Sequence, residues 1–393
     1  MVSRREFIRS IPLASLSLSA AGFPLRLAHA ADSPTSDPAA FDRLVALIGD
    51  NVPVRIGHYP VELGKLLAAQ TDVGDFYLAE GAVERLEAQF AGRVGKQAAV
   101  FFPTGTMANQ VAIRLLCGER RHLLLQQESH VYRDESDAVS ILSGINPVPL
   151  EGGVTDDLYR AVAEAFQQTT EDAYPVEIGA ISLESPVRRL DGAALPLDTV
   201  RKISALARQN GAGMHLDGAR LLLMSDGAGF DLRRYGACFD TVYVSLYKYL
   251  GAPFGALLAG DASFAAKARD LRHILGGTIF HGWMAALIAS ASLDGFEARF
   301  ARARQAGTAL LDLLDKVPGI EVRRVPHGTN IAFLKLDGRV QQGLAARLKE
   351  AGIVIGPIQH GELQITINET LLRRPVAAIA EVFAGTGAAA RRA

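Results

Sequence analysis

Three short stretches carry residue types that could do chemistry together. Pro103-Thr104-Gly105-Thr106-Met107-Ala108-Asn109 follows an apolar run and opens a helix. Free backbone N–H groups and the positive dipole end of a helix make an anion cradle, which Gly105 lets a ligand approach closely and to which Thr106 adds a hydroxyl. Taken alone, the same turn reads equally well as an ordinary helix cap. His215-Leu216-Asp217-Gly218-Ala219-Arg220 ends a second apolar run, which puts Asp217 and Arg220 where open α/β sheets bind ligands, although a strand-end Asp also caps helices. Ser245-Leu246-Tyr247-Lys248-Tyr249-Leu250-Gly251 holds one of only eight lysines in a chain with 33 arginines. An amine among apolar neighbours is driven towards its neutral, nucleophilic form, whereas a structural lysine would snorkel to water. Together the three stretches describe one ligand: a phosphate for the cradle, an aldehyde for the amine, and a protonated ring nitrogen for the carboxylate, as in a cofactor that acts as an electron sink. Neither of the glycine-rich dinucleotide and nucleotide motifs follows any strand here.

These residues must be positioned by the elements around them. Strands are expected at Ala98-Phe102, Leu123-Gln127, Ile178-Glu184, Met214-Asp217, Val242-Leu246 and Ala256-Ala259, mostly without polar/apolar alternation. Such runs fit strands buried on both faces, and helical windows at Met107-Cys117, Leu197-Asn210 and Ala262-His273 lie between them, so the fold class is α/β with a mainly parallel sheet. Asp217 and Lys248 are then one strand-helix-strand step apart and converge on one sheet edge. After Trp283 the pattern predicts a long helical stretch to about Lys316. Strands then follow at Glu321-Val325, Asn330-Leu336 and Leu363-Ile367, with helices at Leu344-Ala351 and Val376-Phe383, as in a smaller α+β domain. The expected division is 1–30, 31–290 and 291–393.

Composition narrows the function. Of 393 residues, 41 are basic and 42 acidic, so the net charge of −1 gives nucleic acid no electrostatic foothold. Two cysteines make no disulfide framework, and no Cys/His cluster has metal-site spacing. Ser3-Arg4-Arg5-Glu6-Phe7 precedes an apolar run and the small-x-small site Ala28-His29-Ala30, the layout of a twin-arginine signal peptide over residues 1–30. That leader predicts a periplasmic protein, exported already folded with its cofactor, and no later stretch is apolar enough to span a membrane.

With these residues in view, the chain resembles the threonine-aldolase and β-eliminating-lyase family of pyridoxal-phosphate enzymes, which have the aspartate-aminotransferase fold (fold type I). The likeness runs from about Phe76 to Ala289 through Tyr77 to Glu87, Thr104-Asn109, Ser129-His130-Val131-Tyr132-Arg133 with Glu135, Leu183-Glu184, His215-Arg220, Leu250-Gly255 and Leu275-Gly276-Gly277. It implies a seven-stranded type of sheet and pyridoxal 5'-phosphate held by Lys248, with Asp217 on the ring nitrogen and Gly105 and Thr106 on the phosphate. His130 would stack on the ring or also relay a proton, and Arg220 and Glu184 would face the substrate. The implied substrate is a β-hydroxy-α-amino acid split into glycine and an aldehyde, in a homodimer or homotetramer. The same cofactor would also serve a β-eliminating lyase or an aminotransferase, and a binding protein without turnover would keep the fold. The chain departs from the family at four places: Pro186-Val187 for a Thr-His pair, Phe280-His281 for Arg-Gln, Gln364 for a carboxylate-binding Arg, and Tyr247 for the serine before the lysine. Ser245, His281 and Arg373 or Arg374 are the candidates to compensate.

Overall fold

The computed structural model describes residues 38–171, 174, 176–226 and 230–385, and the proposed leader lies outside them. Among the described residues there are twelve strands: β1 (Val45–Ala46), β2 (Ala98–Phe102), β3 (His122–Gln126), β4 (Asn146–Leu150), β5 (Ile178–Glu184), β6 (Gly213–Asp217), β7 (Thr241–Ser245), β8 (Ala256–Gly260), β9 (Ile320–Arg324), β10 (Ile331–Leu336), β11 (Ile353–Val354) and β12 (Glu362–Thr366). Seven of them form one sheet in the order β2-β8-β7-β6-β5-β3-β4. β3 to β7 run parallel, and β8 is antiparallel to both of its neighbours, so β2 points the same way as the parallel set. Every residue of β5, β7 and β8 is buried, which is why these strands read as unbroken apolar runs.

Among the differences from the sequence reading, two concern the edge of the large sheet and the helix that follows it. β4 was not expected, because Pro147 and Pro149 interrupt its short apolar run. Proline cannot donate to a ladder, yet β4 is the sheet's edge and pairs only with β3, and Asn146 N, donating to Arg121 O at 2.8 Å, turns the proline nitrogens outward. The helix expected from Trp283 to about Lys316 is two helices, Trp283–Leu293 and Phe296–Leu314, parted where Gly295 takes φ 64°. Apolar spacing continues across the break, so periodicity alone does not reveal it.

The later strands form the antiparallel sheet β12-β10-β9, while β11 pairs in parallel with β1 from near the start of the described chain. Val45 and Leu47 are buried with Leu310, Leu334, Leu348, Ile365 and Phe383 in one apolar cluster. The large sheet has its own, with Phe90, Phe101, Ile181, Leu216 and Leu257 fully buried. The chain that leaves β1 therefore starts beside the C-terminal elements, and this delivers Asp50 to the site described next.

Candidate active site

The chemical residues follow the carboxyl ends of β2, β3, β5, β6 and β7, which all run in one direction. That edge is where an open α/β sheet gathers loops and helix starts. β2 leads into Thr104, whose Oγ1 accepts from Met107 N at 3.2 Å and caps the helix Gly105–Cys117. A Cβ on Gly105 would collide with the Tyr243 hydroxyl, so only glycine fits this helix start. Gly218, just past β6, is similarly confined, since a Cβ would stand 2.7 Å from Tyr243 O.

Asp217 and Glu184 are register partners at the ends of β6 and β5, and both are buried. Asp217 accepts from Asn109 Nδ2 at 3.0 Å and from Ala219 N at 3.2 Å. The same Asn109 amide donates to Glu135 Oε1 at 2.9 Å, so its oxygen must face the other way, where His215 Nε2 stands at 3.0 Å. His215 Nε2 therefore carries the proton and donates, leaving Nδ1 to accept from Thr241 Oγ1 at 2.8 Å. Burial pushes His215 down to about 4, so this imidazole is neutral and the tautomer holds. The chain Thr241, His215, Asn109 and Asp217 fixes the acid that would meet a ring nitrogen.

His130 begins a short helix after β3. Its backbone N donates to Glu184 Oε2 at 2.7 Å, and its Nδ1 lies 3.3 Å from Glu135 Oε1, while Nε2 bonds none of the described residues. Burial opposes its charge, but the bond to Glu135 and the nearby Asp217 outweigh that and hold it above the ordinary histidine value. Glu184 also accepts from Arg188 N at 2.8 Å, and it is held above the usual carboxylate range, first by burial and then by Asp217. Lys248 is pushed down to about 8, mostly by burial and then by Arg220. A substantial share of its amine is neutral near physiological pH.

Arg220, expected to face the substrate, is held in place by Asp50. Its Nε donates to Asp50 Oδ2 at 2.6 Å, and Asn330 Nδ2 holds the other Asp50 oxygen at 2.9 Å. Asp50 was not singled out from the sequence because its role depends on β1 pairing with β11, more than 300 positions away. Of the candidates to compensate for Gln364, Arg373 donates to Leu44 O at 2.8 Å and Arg374 to Ala351 O, while His281 Nδ1 lies 2.6 Å from Asp75 O. All three are occupied by the fold. Gln364 itself bonds Thr366 Oγ1 at 3.4 Å, and Val187 is buried in the core beside Ala193 rather than open to a ligand.

Buried hydroxyls without a partner among the described residues include those of Ser129 beside His130, Ser245 on the strand before Lys248, and Thr278 next to Gly277, where a Cβ would press on Met107 of the cradle helix. Orphaned donors are costly unless a ligand meets them. A group with a phosphate, an aldehyde and a ring nitrogen fits this set. No group of three or more His, Cys, Asp or Glu able to hold a metal occurs among the described residues.

Residues 65–337 match the family model described as beta-eliminating lyase. The chain belongs to that family. It is a pyridoxal-phosphate-dependent lyase, and its α/β fold with a mostly parallel seven-stranded sheet is that of the family. A relative from Saccharomyces cerevisiae, named low specificity L-threonine aldolase, is 30% identical over 72% of this chain and 75% of its own. An Arabidopsis thaliana protein named low-specificity L-threonine aldolase 1 is 27% identical over 79% of this chain and 89% of its own. A solved structure from Listeria monocytogenes, titled as a candidate L-allo-threonine aldolase, superposes with a TM-score of 0.72 at 26% identity, covering 88% of this chain and 96% of that one.

Proposed function

We propose that this beta-eliminating lyase family member cleaves the Cα–Cβ bond of a small β-hydroxy-α-amino acid to glycine and an aldehyde. The observation that carries the reading is the convergence of Lys248, Asp217 and His130 on one sheet edge, with His130 Nδ1 tied to Glu135 and Nε2 bonding none of the described residues. Lys248 would hold pyridoxal phosphate, Gly105 and Thr106 its phosphate, Asp217 its ring nitrogen, and His130 its ring face. When bound, the cofactor supplies a sink for the electrons of the breaking bond. Asp217 stays fixed by Asn109 and Ala219 to keep the ring nitrogen protonated. His130 Nε2 takes the β-hydroxyl proton while Glu135 stabilises the charge that develops on the imidazole. Glu184, by gripping the backbone of both His130 and Arg188, sets the loops that face the substrate.

Purified protein incubated with L-threonine, L-allo-threonine and larger β-hydroxy amino acids is expected to release glycine and the matching aldehyde. Lys248→Ala should abolish both this release and the visible absorption band of the lysine-bound cofactor. Ammonia and a keto acid in place of glycine would support β-elimination instead, a reading favoured at one point: Val187, where a hydroxyl-facing histidine would stand, is sealed in the core.

We also read residues 1–30 as a twin-arginine leader that sends the loaded enzyme to the periplasm, and the working unit as a homodimer or homotetramer. The support for the latter is a knot of aromatic rings, Phe76, Tyr77 and Phe280, exposed at 60%, 48% and 51%.

A further inference from the structure

A buried phenol stands at the start of the cradle helix. Tyr243 lies on β7, only 2% exposed, and packs among Phe102, Ala108 and Leu258. It is the register partner of Asp217 on β6, so the two side chains leave the same face of the sheet. The helix Gly105–Cys117 covers that face: Asn109 meets Asp217, and Gly105, one turn earlier, meets Tyr243, whose hydroxyl fills the space where a Cβ on residue 105 would stand. One helix face therefore sets the acid for a ring nitrogen and a phenol about 6 Å apart along its axis. At the helix start, Ala108 N donates to Thr104 O at 3.3 Å and Met107 N to Thr104 Oγ1 at 3.2 Å, which leaves the amides of Gly105 and Thr106 for an anion. The Tyr243 hydroxyl makes no hydrogen bond with any described residue. Burial first and Asp217 next hold its proton on, well above the ordinary phenol range, so it stands at the cradle as a donor. A buried tyrosine hydroxyl normally has a partner, and an anion drawn to the two amides comes within its reach.

We propose that the Tyr243 hydroxyl donates a hydrogen bond to the phosphate of pyridoxal phosphate, a ligand from β7 added to the amides of Gly105 and Thr106. This role rests on the cofactor assignment and adds the residue by which the site tells the phosphorylated aldehyde from pyridoxal. It also gives Gly105 its reason: the place of a side chain there is taken by an oxygen that serves the ligand. Tyr243→Phe keeps the ring and its packing and removes that oxygen alone.

The test titrates the cofactor-free full-length protein with pyridoxal phosphate and with pyridoxal, which has the ring and aldehyde but no phosphate, and follows the visible band. In Tyr243→Phe the concentration of pyridoxal phosphate that half-fills the band should rise about 10- to 100-fold, as expected for one lost hydrogen bond to a charged group, while that of pyridoxal stays within about twofold. Inorganic phosphate, which competes for the cradle without meeting Lys248, should block uptake of pyridoxal phosphate by the wild type and need a correspondingly higher concentration in the variant. The melting temperature of the cofactor-free protein should hold or rise, since an oxygen without a partner has been removed. If the variant takes up pyridoxal phosphate as tightly as the wild type, or weakens for both aldehydes alike, Tyr243 is not a phosphate ligand and the cofactor assignment stands. If the wild type takes up neither aldehyde, the cofactor assignment is overturned, and the role of Tyr243 with it.

Discussion

The amine of Lys248 titrates well below a lysine in water, since burial drags it down to about 8 from 10.5. Neutral amine is the reactive form, so uptake of pyridoxal phosphate by cofactor-free protein should quicken about tenfold per pH unit below 8 and level off above it. Stopped-flow absorbance across pH 6 to 10 would check this, and a rate still climbing steeply beyond pH 9 would show an ordinary lysine. The stability sign follows from the same shift. Between about pH 8 and 10.5 the unfolded chain binds the proton that the folded one has lost, so the cofactor-free protein gains stability as pH rises through that window. Lys248, Asp217 and the glycine of the cradle were legible in the sequence because residue type and strand-end position suffice to suggest them. Asp50 was not, for it reaches Arg220 and Asn330 only once the chain after β1 lies beside the C-terminal elements.

At the scale of elements, the loop after β1 is bracketed to β6 and β10 by Asp50, Arg220 and Asn330. The Arg220 and Asp50 side chains are only 14% and 13% exposed, so Asp50→Ala leaves a buried cation with no anion. Such broken pairs cost about 3 kcal/mol or more, and a clear fall in the urea midpoint is expected; an unchanged midpoint would show the bracket to be slack. β5 was readable at its full length because seven consecutive residues are buried on both faces. β1 escaped notice since two residues carry no period, and only its remote partner β11 makes it a strand. Local pattern reveals elements whose environment is uniform along them, and hides those whose environment is supplied from far away.

For the whole molecule, the exposed rings of Phe76, Tyr77 and Phe280 meet edge to face, with centroids 4.7 to 5.5 Å apart, and Tyr77 N donates to Phe280 O at 2.9 Å. Phe280→Glu should therefore shift the protein towards monomers in sedimentation velocity, whereas an unaltered distribution would remove this patch from any contact between copies. Replacing Arg4 and Arg5 by lysine should leave the enzyme in the cytoplasmic fraction of a bacterial host; continued periplasmic recovery would discard the twin-arginine assignment. No helix long and apolar enough to cross a membrane occurs among the described residues. The prolines of β4 carry one more consequence. Because Asn146 N points in towards β3, the amide positions at 147 and 149 face out, and proline has stripped both of hydrogen. A stray strand from another molecule would find no donors there to grow a fibril upon, so this margin of the sheet is blunted against aggregation in a crowded compartment.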